Sequence, residues 1–180
     1  MHDDIEKLLI SDVEISEKVA ELGFMISRDY EGKDVVLVNV LKGGVIFLAD
    51  LARAIDIPVT IDFMAITSYG AVSQTSGVVR VLKDLDEDIE DRHVLVVEDI
   101  IDTGLTLGYL LKNLRVRGPA SLSVCTLLDK SARRLLMDLP ISYKGFDVPD
   151  QFVVGYGLDY RQKYRNLPYI GVLKPEIYSR

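Results

Sequence analysis

Solid apolar runs alternate along this chain with stretches in which apolar residues recur every three or four positions. Val35-Val36-Leu37-Val38-Asn39-Val40 is β-branched and nearly uniform, the pattern of a buried strand. Gly43-Gly44 and an apolar helical run from Val45 to Ile55 follow it. Upstream, Val19, Leu22, Phe24, Met25 and Ile26 fall at spacings that predict an amphipathic helix from Ile15 to Tyr30. Downstream, strands are predicted at Val59 to Ile66, Val94 to Val97 and Leu122 to Leu128, and helices at Leu105 to Leu114 and Ala132 to Met137. Thr67 to Val78 is polar, rich in Ser and Gly, and predicts a mobile loop. Strands that read as unbroken apolar runs and alternate with helices belong to sheets covered on both faces. The predicted class is therefore α/β: a doubly wound, mainly parallel sheet flanked by helices. Ligands of such sheets sit beyond the carboxyl ends of the strands.

With 180 residues and 48% hydrophobic content the chain suits one core, and a single domain over 1–180 is expected. No apolar run approaches the roughly 18 residues of a membrane span, and Met1-His2-Asp3-Asp4 is acidic where a signal peptide is basic. A soluble, cytoplasmic protein is the expectation. The lone Cys125, within Ser123-Val124-Cys125-Thr126, reads as core. A net charge of −7 argues against nucleic acid and against anionic membranes as partners, since both are gripped by basic surface. It also means that a polyanionic substrate would need positive charge supplied locally or by a metal. His2 and His93 have neither metal-ligand spacing nor a serine elbow near them, which disfavours a zinc site and a Ser-His-Asp hydrolase.

The richest stretch runs from Val94 to Thr106: a buried strand, the carboxylates Glu98 and Asp99, then Asp102-Thr103-Gly104-Leu105-Thr106 leading into a helix. Unpaired N–H groups at a helix start, with two hydroxyls and a glycine that permits close approach, can cradle a phosphate. Glu98 and Asp99 can accept from the paired hydroxyls of a sugar diol, and Asp102 at the rim can move a proton. Each part has a plainer reading, as a helix cap or a solvated strand end. Acidic pairs also stand at strand ends in receiver domains and aspartyl-phosphate hydrolases.

Taken whole, these thirteen residues resemble the phosphoribosyl pyrophosphate signature of the type I phosphoribosyltransferases. Over roughly residues 10 to 175 the chain is similar to the bacterial hypoxanthine-guanine phosphoribosyltransferases. That resemblance implies the type I fold, with a small hood from the terminal segments. It implies that Leu41-Lys42-Gly43-Gly44 is a pyrophosphate loop whose Leu-Lys peptide is typically cis, and that Ser68-Tyr69-Gly70 lies on a loop closing over the site. By the same resemblance Lys130 donates to the purine O6, Phe152 stacks on the ring, and the Val153 backbone meets the base edge. Asp159 is implied to be metal-associated together with Glu98 and Asp99, Arg165 to contact pyrophosphate, and Asp102 to act as general base toward the purine N7. Leu105 departs from the lysine found there in some members, leaving the cradle to backbone N–H and threonine hydroxyls.

The implied reaction transfers the 5-phosphoribosyl group to a 6-oxopurine. A lysine offers donors only, which favours a 6-oxo acceptor over the 6-amino group of adenine. One helix terminus stabilises an anion by typically 0.3–1 kcal/mol, about 2 at most, too little to offset phosphates placed among four carboxylates. Mg2+ held chiefly by substrate oxygens is therefore expected. The competing reading is a phosphoribosyl pyrophosphate-sensing module without turnover. Relatives are commonly homodimers or homotetramers, and Phe47, Leu48 and Leu51 are candidate interface residues.

Overall fold

A computed structural model of the protein describes residues 1–68 and 79–179. Its strands are β1 (Ile5–Ile10), β2 (Val35–Val40), β3 (Val59–Ser68), β4 (Val79–Lys83), β5 (His93–Ile101), β6 (Ser121–Asp129), β7 (Ile141–Asp147), β8 (Val153–Val154) and β9 (Ile170–Leu173). Its helices are α1 (Asp12–Asp29), α2 (Val45–Ala54), α3 (Leu105–Arg115) and α4 (Pro175–Tyr178). Six strands form the main sheet in the order β4-β3-β2-β5-β6-β7, parallel except where β4 pairs with β3.

The apolar runs are unbroken because both faces of the sheet are covered. Val35, Leu37, Leu95, Val97, Cys125 and Leu127 turn to one side, against Ile15, Val19, Leu22 and Ile26 of α1 and Phe47, Leu48 and Leu51 of α2. Their alternates Val36, Val38, Val94, Val96 and Val124 turn to the other, against Leu107, Leu110, Leu111 and Leu114 of α3. Cys125 is core as expected, and burial pushes its thiol pKa up.

A second sheet of three antiparallel strands, β1-β9-β8, joins the two ends of the chain and makes the expected hood. Val153 pairs with Val172 of β9 in this sheet, and Phe152 directly precedes it.

Three expectations are corrected. Phe47, Leu48 and Leu51 are 0%, 1% and 0% exposed, so they are core and offer nothing to an interface. Ala132 to Met137 is not a helix: a single 3-10 turn covers Ser131–Arg133, after which Leu135 N and Leu136 N donate to Thr103 O at 2.9 and 3.4 Å. Glu98 and Asp99 do not end their strand, since β5 runs on to Ile101, which pairs with Asp129 of β6. The helix read from Ile15 begins at Asp12, behind a capping box in which Ser11 and Glu14 bond reciprocally. The loop read over Thr67 to Val78 falls mainly outside the described residues, as does Tyr69; for Ser68 only the backbone, at the end of β3, is described.

Candidate active site

The centre of the site is the end of β5, flanked by β2 and β6. Glu98 and Asp99 follow four valines and leucines that burial holds in the sheet, so both are carried into half-buried positions, Glu98 at a crevice beside the start of α3. Burial raises Glu98 well above the usual carboxylate range, and the adjacent Asp99 charge adds to that. Burial likewise pushes Asp99 up to about 6, against hydrogen bonds from Ile100 N–H and its own N–H and the nearby Arg165 charge; Asp159 acts the other way and raises it.

Asp99 is wedged under the loop that leaves β2. A Cβ on Gly43 would overlap Asp99 Oδ2, so a larger residue there would push the Asp99 carboxylate out of its place. The Leu41–Lys42 peptide is cis, and Lys42 is exposed with no ion pair among the described residues. Asn39, wholly buried at the end of β2, donates to Val97 O at 2.7 Å and ties this loop's base to β5.

Beyond β5 the chain turns into α3 through Gly104, whose φ of 79° is the left-handed conformation that glycine adopts freely. The N-cap is a glycine without a side chain, and of the first N–H groups of α3 that of Leu105 makes only a long bond, 3.4 Å, to Thr103 Oγ1, which a ligand oxygen can replace. A crevice of about 220 Å3 opens there, lined by Glu98, Asp102, Thr103, Gly104 and Thr106 among others. Leu105 and Thr106 are exposed. A larger cavity of about 640 Å3 lies between α1, α2 and residues 165–168 and meets these groups only at Arg165. Size therefore does not locate the chemistry; the carboxylates in the last residues of β5 and just beyond it, Glu98, Asp99 and Asp102, do.

Arg165 and Asp159 form one unit beside Asp99. Arg165 Nη2 lies 2.7 Å from Asp159 Oδ1, and Nη1 donates to Gly157 O at 2.7 Å. Lys130, only 8% exposed, follows β6 directly, and its N donates to Ile101 O at 2.9 Å. That bond places Lys130 and Asp102 side by side at the tops of adjacent strands. Lys130 Nζ is 3.8 Å from Asp150 Oδ1. Phe152, 37% exposed, stacks on Tyr178 at 4.9 Å and meets Tyr160 edge-on at 5.6 Å. Val153 is buried in β8, the edge strand of the small sheet.

A family model described as the phosphoribosyl transferase domain matches residues 11–161, from the start of α1 past the end of β8. The chain belongs to the phosphoribosyl transferase family. Among curated phosphoribosyltransferases it is similar to the hypoxanthine-guanine phosphoribosyltransferase of Mycobacterium avium, 53% identical over 98% of this chain and 90% of that one. The enzyme of the same name from Bacillus subtilis is 51% identical over 99% of each chain. A crystal structure of a hypoxanthine phosphoribosyltransferase from Staphylococcus aureus superposes with a TM-score of 0.96 at 47% identity, covering 100% of this chain and 97% of that one. The α/β class and the type I phosphoribosyltransferase fold are those read from the sequence.

One phosphoribosyltransferase residue escaped the sequence reading. Arg133 Nε lies 2.9 Å from Asp102 Oδ1, and its Nη1 donates to Asp150 Oδ1 at 3.1 Å. The signal was the basic cluster Lys130, Arg133 and Arg134 directly after a buried strand. Among the described residues, no three His, Cys, Asp or Glu side chains come together as a ready-made cation cage.

Proposed function

We propose that this phosphoribosyltransferase serves purine salvage, transferring the 5-phosphoribosyl group of phosphoribosyl pyrophosphate to hypoxanthine or guanine to give IMP or GMP and pyrophosphate. The observation that carries the reading is the adjacency of Asp102 and Lys130, joined through Lys130 N and Ile101 O at 2.9 Å. The N7 and O6 atoms of a 6-oxopurine are neighbours on one edge of the base, and they need an acceptor and a donor side by side. Asp102 takes the N7 proton as the base attacks the anomeric carbon, and Lys130 donates to O6. The two purine-enzyme relatives at over 50% identity support the same substrate class.

The other groups take the parts their positions suit. Thr103, Gly104, Leu105 and Thr106 receive the 5-phosphate through N–H groups and hydroxyls at the start of α3. Glu98 and Asp99 accept from the ribose hydroxyls, while Lys42, Gly43 and Arg165 receive pyrophosphate as it leaves with the electron pair of the broken bond. Phe152 offers a ring face to the purine. Phe152 O accepts from Leu173 N at 2.8 Å, so strand alternation turns the Val153 N–H and C=O to the unpaired edge of β8, free for the base.

The donor set fits Mg2+. Glu98, Asp99 and Asp159 are hard oxygen donors, and since no three such side chains come together among the described residues, one or two of them would meet the cation, with substrate oxygens and water as the remaining ligands. Bound there, Mg2+ supplies neutralisation of pyrophosphate charge. In this reading the protein works in the cytoplasm as a homo-oligomer. No helix among the described residues is long and apolar enough to cross a membrane.

The test is nucleotide formation from phosphoribosyl pyrophosphate and Mg2+ with hypoxanthine, guanine, xanthine or adenine in separate reactions. Turnover of the 6-oxopurines, slowed roughly 100-fold or more in Asp102→Asn, is expected. Binding of phosphoribosyl pyrophosphate without turnover would replace transfer by sensing.

A further inference from the structure

One oxygen of Asp102 is in close contact with a guanidinium that the sequence reading did not place there. Oδ1 is shielded from solvent and has no aligned hydrogen bond, yet the Arg133 Nε stands 2.9 Å away. The same guanidinium donates to Asp150 Oδ1, which is 3.8 Å from Lys130 Nζ. Arg133 thus touches the acid–base carboxylate directly and reaches the base-recognition lysine through a single aspartate.

The backbone explains why this contact forms. Lys130 N donates to Ile101 O and Leu135 N to Thr103 O, both at 2.9 Å. Those acceptors are the residues on either side of Asp102, so the turn bearing Arg133 is stitched across the loop bearing Asp102. Arg134 is held the other way by the buried carboxylate of Asp129. With its neighbours pinned, the Arg133 side chain has one direction to go.

Charge is the smaller part of what this contact does, because Asp102 and Arg133 are each 45% exposed and water screens the pair. Steric position is the larger part, because the contact is close without being an aligned hydrogen bond. A carboxylate held at one oxygen loses torsional freedom and presents its other oxygen in a defined place; among the described residues Oδ2 has no partner. The geometry points to Arg133 as a positioning residue for proton transfer: it holds Asp102 at Oδ1 so that Oδ2 meets the purine N7, and through Asp150 it keeps Lys130 aligned with O6. This rests on the purine-transfer reading above.

The experiment is single-turnover nucleotide formation with phosphoribosyl pyrophosphate, Mg2+ and hypoxanthine. Arg133→Ala is expected to slow it roughly ten- to hundredfold, with the KM for phosphoribosyl pyrophosphate within about twofold of wild type. Arg133→Lys keeps a cation that cannot span two carboxylates, so it recovers part of the rate and also serves if the alanine variant does not fold. In an Asp102→Asn background the same Arg133 substitution should slow the reaction by less than about threefold, since no base remains to be oriented. An equal loss in both backgrounds would overturn the inference, as would an unchanged rate in Arg133→Ala. Wild-type protein that forms no nucleotide sinks the transfer reading itself, a result that involves no variant.

Discussion

Asp99→Asn should make the substrate-free protein more stable while removing its activity. The Asp99 carboxyl stands at about 6 in the folded protein against an ordinary 3.8, chiefly because burial disfavours its charge. At about 1.4 kcal/mol per pKa unit, that difference corresponds to about 3 kcal/mol. A carboxyl whose folded value lies above its unfolded one costs stability when ionised. The cost is absent below about pH 4, where both states are protonated, grows as pH rises toward 6, and is complete above that. Glu98, raised by burial and by Asp99, acts in the same direction. Asparagine keeps the shape and the acceptor for Ile100 N, now 2.8 Å from Asp99 Oδ1, without the charge. For a chain of this size about 1 kcal/mol shifts the melting midpoint by roughly 2–4 °C, so a gain of up to about 6–12 °C at pH 8 is expected, shrinking toward zero near pH 4. Calorimetry of both proteins with chelator and without phosphoribosyl pyrophosphate measures it. An Asp99→Asn midpoint equal to or below wild type at pH 8 would refute the reasoning, because burial would then impose no cost on the native charge.

Gly43→Ala should lower kcat/KM by roughly 100-fold, because its Cβ would overlap Asp99 Oδ2 and displace that carboxylate; steady-state kinetics beside a circular dichroism melt separate this from a loss of folding. Asp129→Ala strands Arg134, whose side chain is 14% exposed, and should cost about 3–5 kcal/mol in urea unfolding. The half-exposed Asp150, altered in the same way, should cost under about 1 kcal/mol.

Much of the site was legible because its residues are contiguous. Val94 to Thr106 carries strand, carboxylates, glycine turn and helix start in one segment, and the resemblance of the whole extended that reading to Lys42, Lys130, Phe152, Val153, Asp159 and Arg165. The unbroken runs of β2, β5 and β6 announced a doubly covered sheet, since nothing but burial on both faces accounts for them. Edge and hood strands were silent: β1 is mostly exposed and β7 has a mixed burial pattern, so neither leaves a continuous apolar run.

The rest was decided through space. The apolar period of Ala132 to Met137 suggested a helix, but the N–H groups of Leu135 and Leu136 find Thr103 O, and Arg134 finds Asp129. Those tertiary bonds outweigh a local preference worth tenths of a kcal/mol per residue. The apolar content of α2 could not say whether Phe47, Leu48 and Leu51 meet the sheet or a second subunit, because periodicity shows that a face is buried and not what buries it. Arg133 and Asp102 are 31 positions apart, and only the bonds on either side of Asp102 bring them together. By itself, then, the sequence determined which segments must be buried and which local run carries the chemistry; which side chain holds which was left to the tertiary structure, because contact partners depend on distances that exist only once the chain has closed on itself.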